Sequence, residues 1–213
     1  MEEERPLAQP PTADPAPLGL SAFAATTLVF SFVNAGIIQQ GADPGQQITN
    51  LFLPMALAFG GLAQLIAGIL EFRTGNTFAL TGFGSFGAFW IALAIMNLMA
   101  RQGVIAETRL AEAQGWFFLA FTVFTFIMLI ATFGLNIGLM VTFLLLFVTL
   151  LLLTIGDLNG GPEAGGIALT MVRLGGYVGI ITALAAFYVA AADVINDTLG
   201  RDVLPLGPLG GGG

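Results

Sequence analysis

Six long apolar runs, at 18–39, 51–70, 78–100, 116–133, 137–155 and 167–191, fill most of the 213 residues. The breaks between them hold Gly, Pro, Asp, Asn and Arg, residues that end or turn helices. An α-helix rises 1.5 Å per residue, so about 20 apolar residues cross the hydrocarbon core of a bilayer. Each run is long enough for one crossing. None alternates with the period of two that a membrane strand needs. The expected fold is an all-α integral membrane protein, a bundle of six transmembrane helices spanning 18–191. A short tail at 1–17 precedes it and another at 192–213 follows it. The first tail, charged and rich in proline, is expected to be disordered. Its acidic start does not resemble a cleavable secretory signal.

Composition narrows the chemistry. Only 9% of residues are charged, against about 25% in a soluble domain. The chain has neither cysteine nor histidine. Disulfides, thiolate nucleophiles and Cys-bound metal are excluded, and the commonest general base is missing. No cofactor and no metal are expected. A membrane enzyme would need an acid cluster or a nucleophile with its base, and no such constellation is present. The net charge of −7 argues against a nucleic-acid partner. Six spans place both termini on one side of the membrane. Arg5, Arg73 and Arg201 fall on that side, Arg101 and Arg109 on the other, and Arg173 lies a few turns into the last span. The asymmetry weakly favours cytoplasmic termini.

Polar groups inside hydrocarbon need partners or water. The first span carries Phe23, Thr27, Phe30, Ser31 and Asn34 at spacings of three and four, the third Gly82, Phe86, Trp90, Leu93 and Asn97, the fifth Thr142, Leu146, Thr149 and Leu153. Each set lies on one helical face. The hydroxyls could simply bond to carbonyls of their own helices. Three such stripes also suit a pore with hydrophobic constrictions between polar stations. Gly175 and Gly179, and the face shared by Gly60, Gln64 and Gly68, read as close helix packing. The segment Glu71–Arg73–Gly75–Asn76–Thr77 reads first as a tight turn. Its rival reading puts the start of the third span inside the protein, with free N–H groups turned toward an anion.

Three segments, "DPAPLGL" at 14–20, "GGLAQLIAGILEFRTGNTFALTGFGSFGAFW" at 60–90 and "GRDVLPLG" at 200–207, closely resemble the acetate uptake transporters, also called the succinate–acetate permease or GPR/FUN/YaaH family. The resemblance runs from Asp14 to Gly207. It implies a six-helix subunit that assembles into a homo-hexamer in the plasma (inner) membrane, with both termini cytoplasmic, and passes acetate and in some members succinate. It also implies a constriction from helices one, three and five, which falls here on Phe23, Phe86 and Leu146. Asp14 replaces an Asn of the family pattern, and Phe86 stands where Tyr is frequent. Loss of that hydroxyl leaves a drier constriction. Thr27, Asn34, Asn76, Thr77, Thr81, Ser85, Asn97 and Thr142 are the polar residues expected along a substrate path. The function expected is transport of acetate or another small carboxylate, by a channel-like or a proton-coupled route. Two alternatives stay open: a channel for ammonia, urea or undissociated acid, and a membrane sensor that transports nothing.

Overall fold

A computed structural model describes residues 12–38 and 51–209. Six helices in it are long and apolar enough to cross a membrane: α1 (Ala16–Asn34), α2 (Phe52–Thr74), α3 (Thr77–Arg101), α4 (Glu107–Thr132), α5 (Ile137–Leu158) and α6 (Gly166–Leu199). Each packs on its neighbours in sequence, and α6 returns to pack along α1. The result is a closed ring of six helices. Odd helices start, and even helices end, on the side where the described chain begins and finishes.

Helix ends differ from the apolar runs for identifiable reasons. α1 stops at Asn34 because Gly36 takes φ +74°. The expected limit at 39 lies outside the described residues. α4 begins at Glu107 rather than 116, because its first turns, "ETRLAEAQG", form helix readily although they are polar. Glu107 also suits the positive end of the helix dipole. α6 runs on through "DVINDTL" until Gly200, at φ +62°, turns the chain. Within α2 the residues Ala58–Ala63 form a π-helical turn, a wide turn found disproportionately at functional sites.

The Gly-x-x-x-Gly pair of α6 packs inside the subunit. Gly175 faces Leu153 of α5, and Gly179 faces Ser31 of α1 and Thr149 of α5. Next to them, a Cβ on Gly176 would meet the backbone of Ala35. Here two helices approach until only hydrogen fits between them.

The final segment runs back along the start of α5. Ile137 N–H donates to Gly207 C=O (2.8 Å), Gly138 N–H to Leu206 C=O (3.1 Å) and Leu209 N–H to Leu135 C=O (2.9 Å). Tyr188 Oη donates to Pro205 C=O at 2.8 Å, while Asn196 Oδ1 accepts from the N–H groups of Val203 and Leu204. "GRDVLPLG" is thus a strap that satisfies N–H groups at the start of α5.

Candidate functional site

Three helices begin at the same cavity, each with an Asx side chain at its start: Asn76 and Asn136 are the N-caps of α3 and α5, and Asp14 stands one residue before Pro15, the N-cap of α1. Asp14 Oδ1 accepts from Ala16 N–H at 2.9 Å before α1, Asn76 Oδ1 from Ala79 N–H at 3.0 Å before α3, and Asn136 Oδ1 from Leu139 N–H at 2.8 Å before α5. Asx residues favour this position because their oxygen replaces a carbonyl missing from the first turn. All three Asx side chains line a vestibule of about 430 Å³ on the terminus side. Asn136→Ala should therefore cost about 1 kcal/mol of stability. Thermal unfolding of the detergent-solubilised protein would show it as a lowered midpoint.

The sidewalls of the vestibule carry the apolar residues Leu20, Phe83, Leu139 and Phe143 beside Gln64, Thr142 and Asp193, and it ends against Phe23, Phe86 and Leu146. These three residues follow the Asx residues by nine, ten and ten positions. At 1.5 Å per residue they stand about 15 Å below the mouth, half the thickness of the hydrocarbon core. All three are buried. The Phe23 and Phe86 rings meet edge to face, centroids 5.7 Å apart, a favoured aromatic geometry.

Behind this plane lies a void of about 20 Å³, walled by the same three residues together with Thr27, Phe30, Ser31, Trp90 and Thr149. It has room for about one water molecule. Phe30 forms a second barrier, packed against Phe52, Trp90 and Phe118 at centroid distances of 5.3, 5.6 and 6.3 Å. On its far side a cavity of about 310 Å³ is lined by Phe30, Asn34, Asn97, Arg101, Gln114 and Asp157, among others. The three cavities stand in series, each separated from the next by a shared aromatic wall.

Unpartnered buried polar atoms occur in every one of these cavities. They are Gln64 Oε1 in the vestibule, Thr27 Oγ1 and Trp90 Nε1 in the central void, and Asn34 Nδ2 on the far side. Buried polar groups are normally paired. Other hydroxyls and amides behave as self-bonding helix residues do: Thr142 donates to Gly138 C=O, Thr149 to Leu145 C=O and Asn97 to Leu93 C=O.

Of the polar residues expected along a path, Asn76 and Thr142 line the vestibule, Thr27 the central void, and Asn34 and Asn97 the far cavity. Thr77, Thr81 and Ser85 line none of the three, and Thr77 and Thr81 are exposed. The inward face of α3 runs through Gly82, Phe86, Trp90 and Leu93, all buried. Residues one position before Gly82 and Phe86 are turned aside. At 71–77 the turn reading describes the segment, and residues 72–77 are exposed. Gly75 at φ +75° makes the turn, and Asn76 starts a helix at the cavity. Glu71 is buried, with Oε2 accepting from Thr74 Oγ1 at 2.8 Å.

Gln64 was legible only as a packing residue, and Phe30 only as part of a stripe. A signal for the common geometry existed. The Asx residues at the starts of α1, α3 and α5 recur at every second span, each with a bulky residue nine or ten positions later.

Comparison with known proteins agrees with this architecture. The succinate-acetate/proton symporter SatP of Escherichia coli is 35% identical over 195 residues, covering 92% of this chain and 95% of that protein. The ammonia transport outward protein 2 of Saccharomyces cerevisiae is 38% identical over 187 residues, 85% of this chain and 61% of that protein. The solved structure of the bacterial acetate channel SatP superposes with a TM-score of 0.80 at 35% identity, over 92% of this chain and 100% of that one. The model of the GPR1/FUN34/yaaH family matches residues 2–209, and the chain belongs to that family.

Proposed function

We propose that this chain transports acetate, or a carboxylic acid of similar size, across the membrane through a path inside each subunit. The observation that carries the reading is the series of two vestibules and a central void, divided at mid-depth by Phe23, Phe86 and Leu146. A transporter of acetate and succinate is 35% identical in sequence and an acetate channel has a similar fold, which supports the choice of solute. The solute enters the vestibule, sheds water at the aromatic plane and is steadied by the unpartnered groups of Thr27, Trp90 and Asn34. A void this small is closed to acetate, so the rings must rotate aside during passage. Among the described residues no arginine lines the vestibule or the central void, which keeps binding weak enough for release.

The reading makes the protein a transporter of the plasma membrane and not an enzyme. Its exposed apolar faces, with Phe72, Trp116, Ile127 and Phe133 among the residues, suit both lipid and the contacts of a homo-hexamer. Cytoplasmic termini fit the arginine asymmetry.

Purified protein in liposomes should take up labelled acetate. Uptake without a proton gradient marks a passive pore, and uptake that vanishes without one marks a coupled carrier. No uptake by a folded sample overturns the assignment. A second reading, passage of a neutral solute, is favoured by the narrowness of the central void, about 20 Å³, where a solute must shed its water, because dehydrating a charge is costly. Flux that follows the protonated fraction of the acid as pH changes would establish it.

A further inference from the structure

We propose that Asp157 is the proton-exchange residue of the far cavity: it hands a proton to an entering carboxylate, so that the solute reaches the aromatic barriers as neutral acid, and takes one back from a solute that leaves. The inference rests on the transport reading above and deepens its neutral-solute form.

The odd-numbered helices carry a second register beyond the constriction. Asn34, Asn97 and Asp157 follow Phe23, Phe86 and Leu146 by eleven positions each. Eleven residues make about three helical turns, so each returns to the face of its constriction residue about 16 Å farther along. All three line the far cavity. Two are amides and the third is an acid. On α5 the buried stripe runs Leu146, Leu150, Leu153, Asp157, and its three leucines wall the central void. Asp157 therefore stands one turn beyond the void.

Three other charged side chains line this cavity, and all are farther out. Arg101 lies one turn past Asn97 on α3, Glu107 three turns before Phe118 on α4, and Glu163 in the loop after α5. These three are exposed, whereas Asp157 is 5% exposed. From α1, α2 and α6 the lining receives only uncharged residues, Asn34, Phe52 and Val172 among them. Among the described residues no ion pair or side-chain hydrogen bond engages the Asp157 carboxyl. An acid turned into the interior of a membrane bundle, without a fixed cation, is placed as proton relays are.

In the exchange a carboxylate oxygen of the solute takes the proton of the Asp157 carboxyl. The O–H bond on Asp157 breaks, its electron pair stays on Asp157, and a new O–H bond forms on the solute. The negative charge passes to the protein, and no ion has to enter the void, where dehydration would be costly. Water from the far-side solution then returns a proton to Asp157. Asn34 Nδ2, unpartnered in the same cavity, offers a donor to the carboxylate present before or after the transfer.

The test follows exchange of labelled acetate in liposomes holding the full chain, with equal acetate and equal pH on both faces, so that the orientation of the protein is immaterial. Protein-free liposomes give the background. At pH 7 a simple carboxylic acid is almost wholly ionised. There Asp157→Asn, which keeps the shape and removes the acid, should slow exchange about tenfold or more. At pH 5 the solution itself supplies neutral acid, and the variant should come within about twofold of the unaltered protein. A deficit of the same size at both pH values overturns the inference, as does the lack of any deficit at pH 7. Should Asp157→Asn fail to elute as folded protein, Asp157→Ser decides by the same split. If the unaltered protein exchanges no acetate, the transport reading falls and the inference with it. If it exchanges acetate and the split is missing, the inference alone falls.

Discussion

Phe86→Ala in liposomes should turn a closed constriction into a leak: acetate uptake rises severalfold, and solutes too large for the native protein, such as benzoate, begin to pass. Phe86 is the hub of the aromatic layer. Its ring meets those of Phe23, Phe89, Phe121, Phe124 and Phe143 at centroid distances of 5.7, 6.0, 5.9, 5.6 and 6.5 Å. It also walls both the vestibule and the central void. Truncation joins these two spaces and removes a buried ring. Large-to-small changes of this kind cost about 3–5 kcal/mol, so the thermal midpoint should fall as permeability rises. Unchanged size selectivity in a folded variant would mean that the ring packs the bundle without setting its bore.

Gly176→Ala should damage folding more than its single added methyl suggests. The new Cβ would press on the Ala35 amide and lie 2.7 Å from the Ala35 Cα. Backbone cannot rotate aside as a long side chain can. The contact that closes the ring between α1 and α6 would have to open, at a cost of about 1–3 kcal/mol or more. Gly84→Ala supplies the contrast, since a Cβ there meets nothing within 4 Å. It should be neutral or stabilising by up to about 1 kcal/mol, because alanine is the better helix former. Comparing elution profiles and thermal midpoints of the two variants checks both expectations. Equal behaviour would show that α1 and α6 can separate without penalty.

Much of the fold was legible because hydrocarbon leaves a chain few options. Continuous apolar runs had to be helices, and their number and order are those of the structure. Their ends were less legible wherever a polar helical turn extends beyond the bilayer, as at Glu107 and Leu199. Faces were readable where a helix is regular: Phe23, Phe86 and Leu146 share one cavity wall. Gln64 was readable as a packed position on one face with Gly60 and Gly68, and all three are buried. Periodicity could not show that it also lines the vestibule. Thr81 and Ser85 misled for a simpler reason. They are polar and adjacent to inward residues, yet successive helix positions are 100° apart.

The similar spacing of Asp14, Asn76 and Asn136, nine or ten residues before Phe23, Phe86 and Leu146, has an electrical consequence. A plane about 15 Å below the mouth lies near half of the field across the bilayer. Moving one elementary charge through 100 mV is worth about 2.3 kcal/mol, so an anion halted at Phe86 has met about half of that. Acetate crossing as an anion should therefore carry current with a barrier that voltage tilts from both sides nearly alike, giving a close to symmetric current–voltage curve. Acetic acid crossing the same plane would carry no current at all.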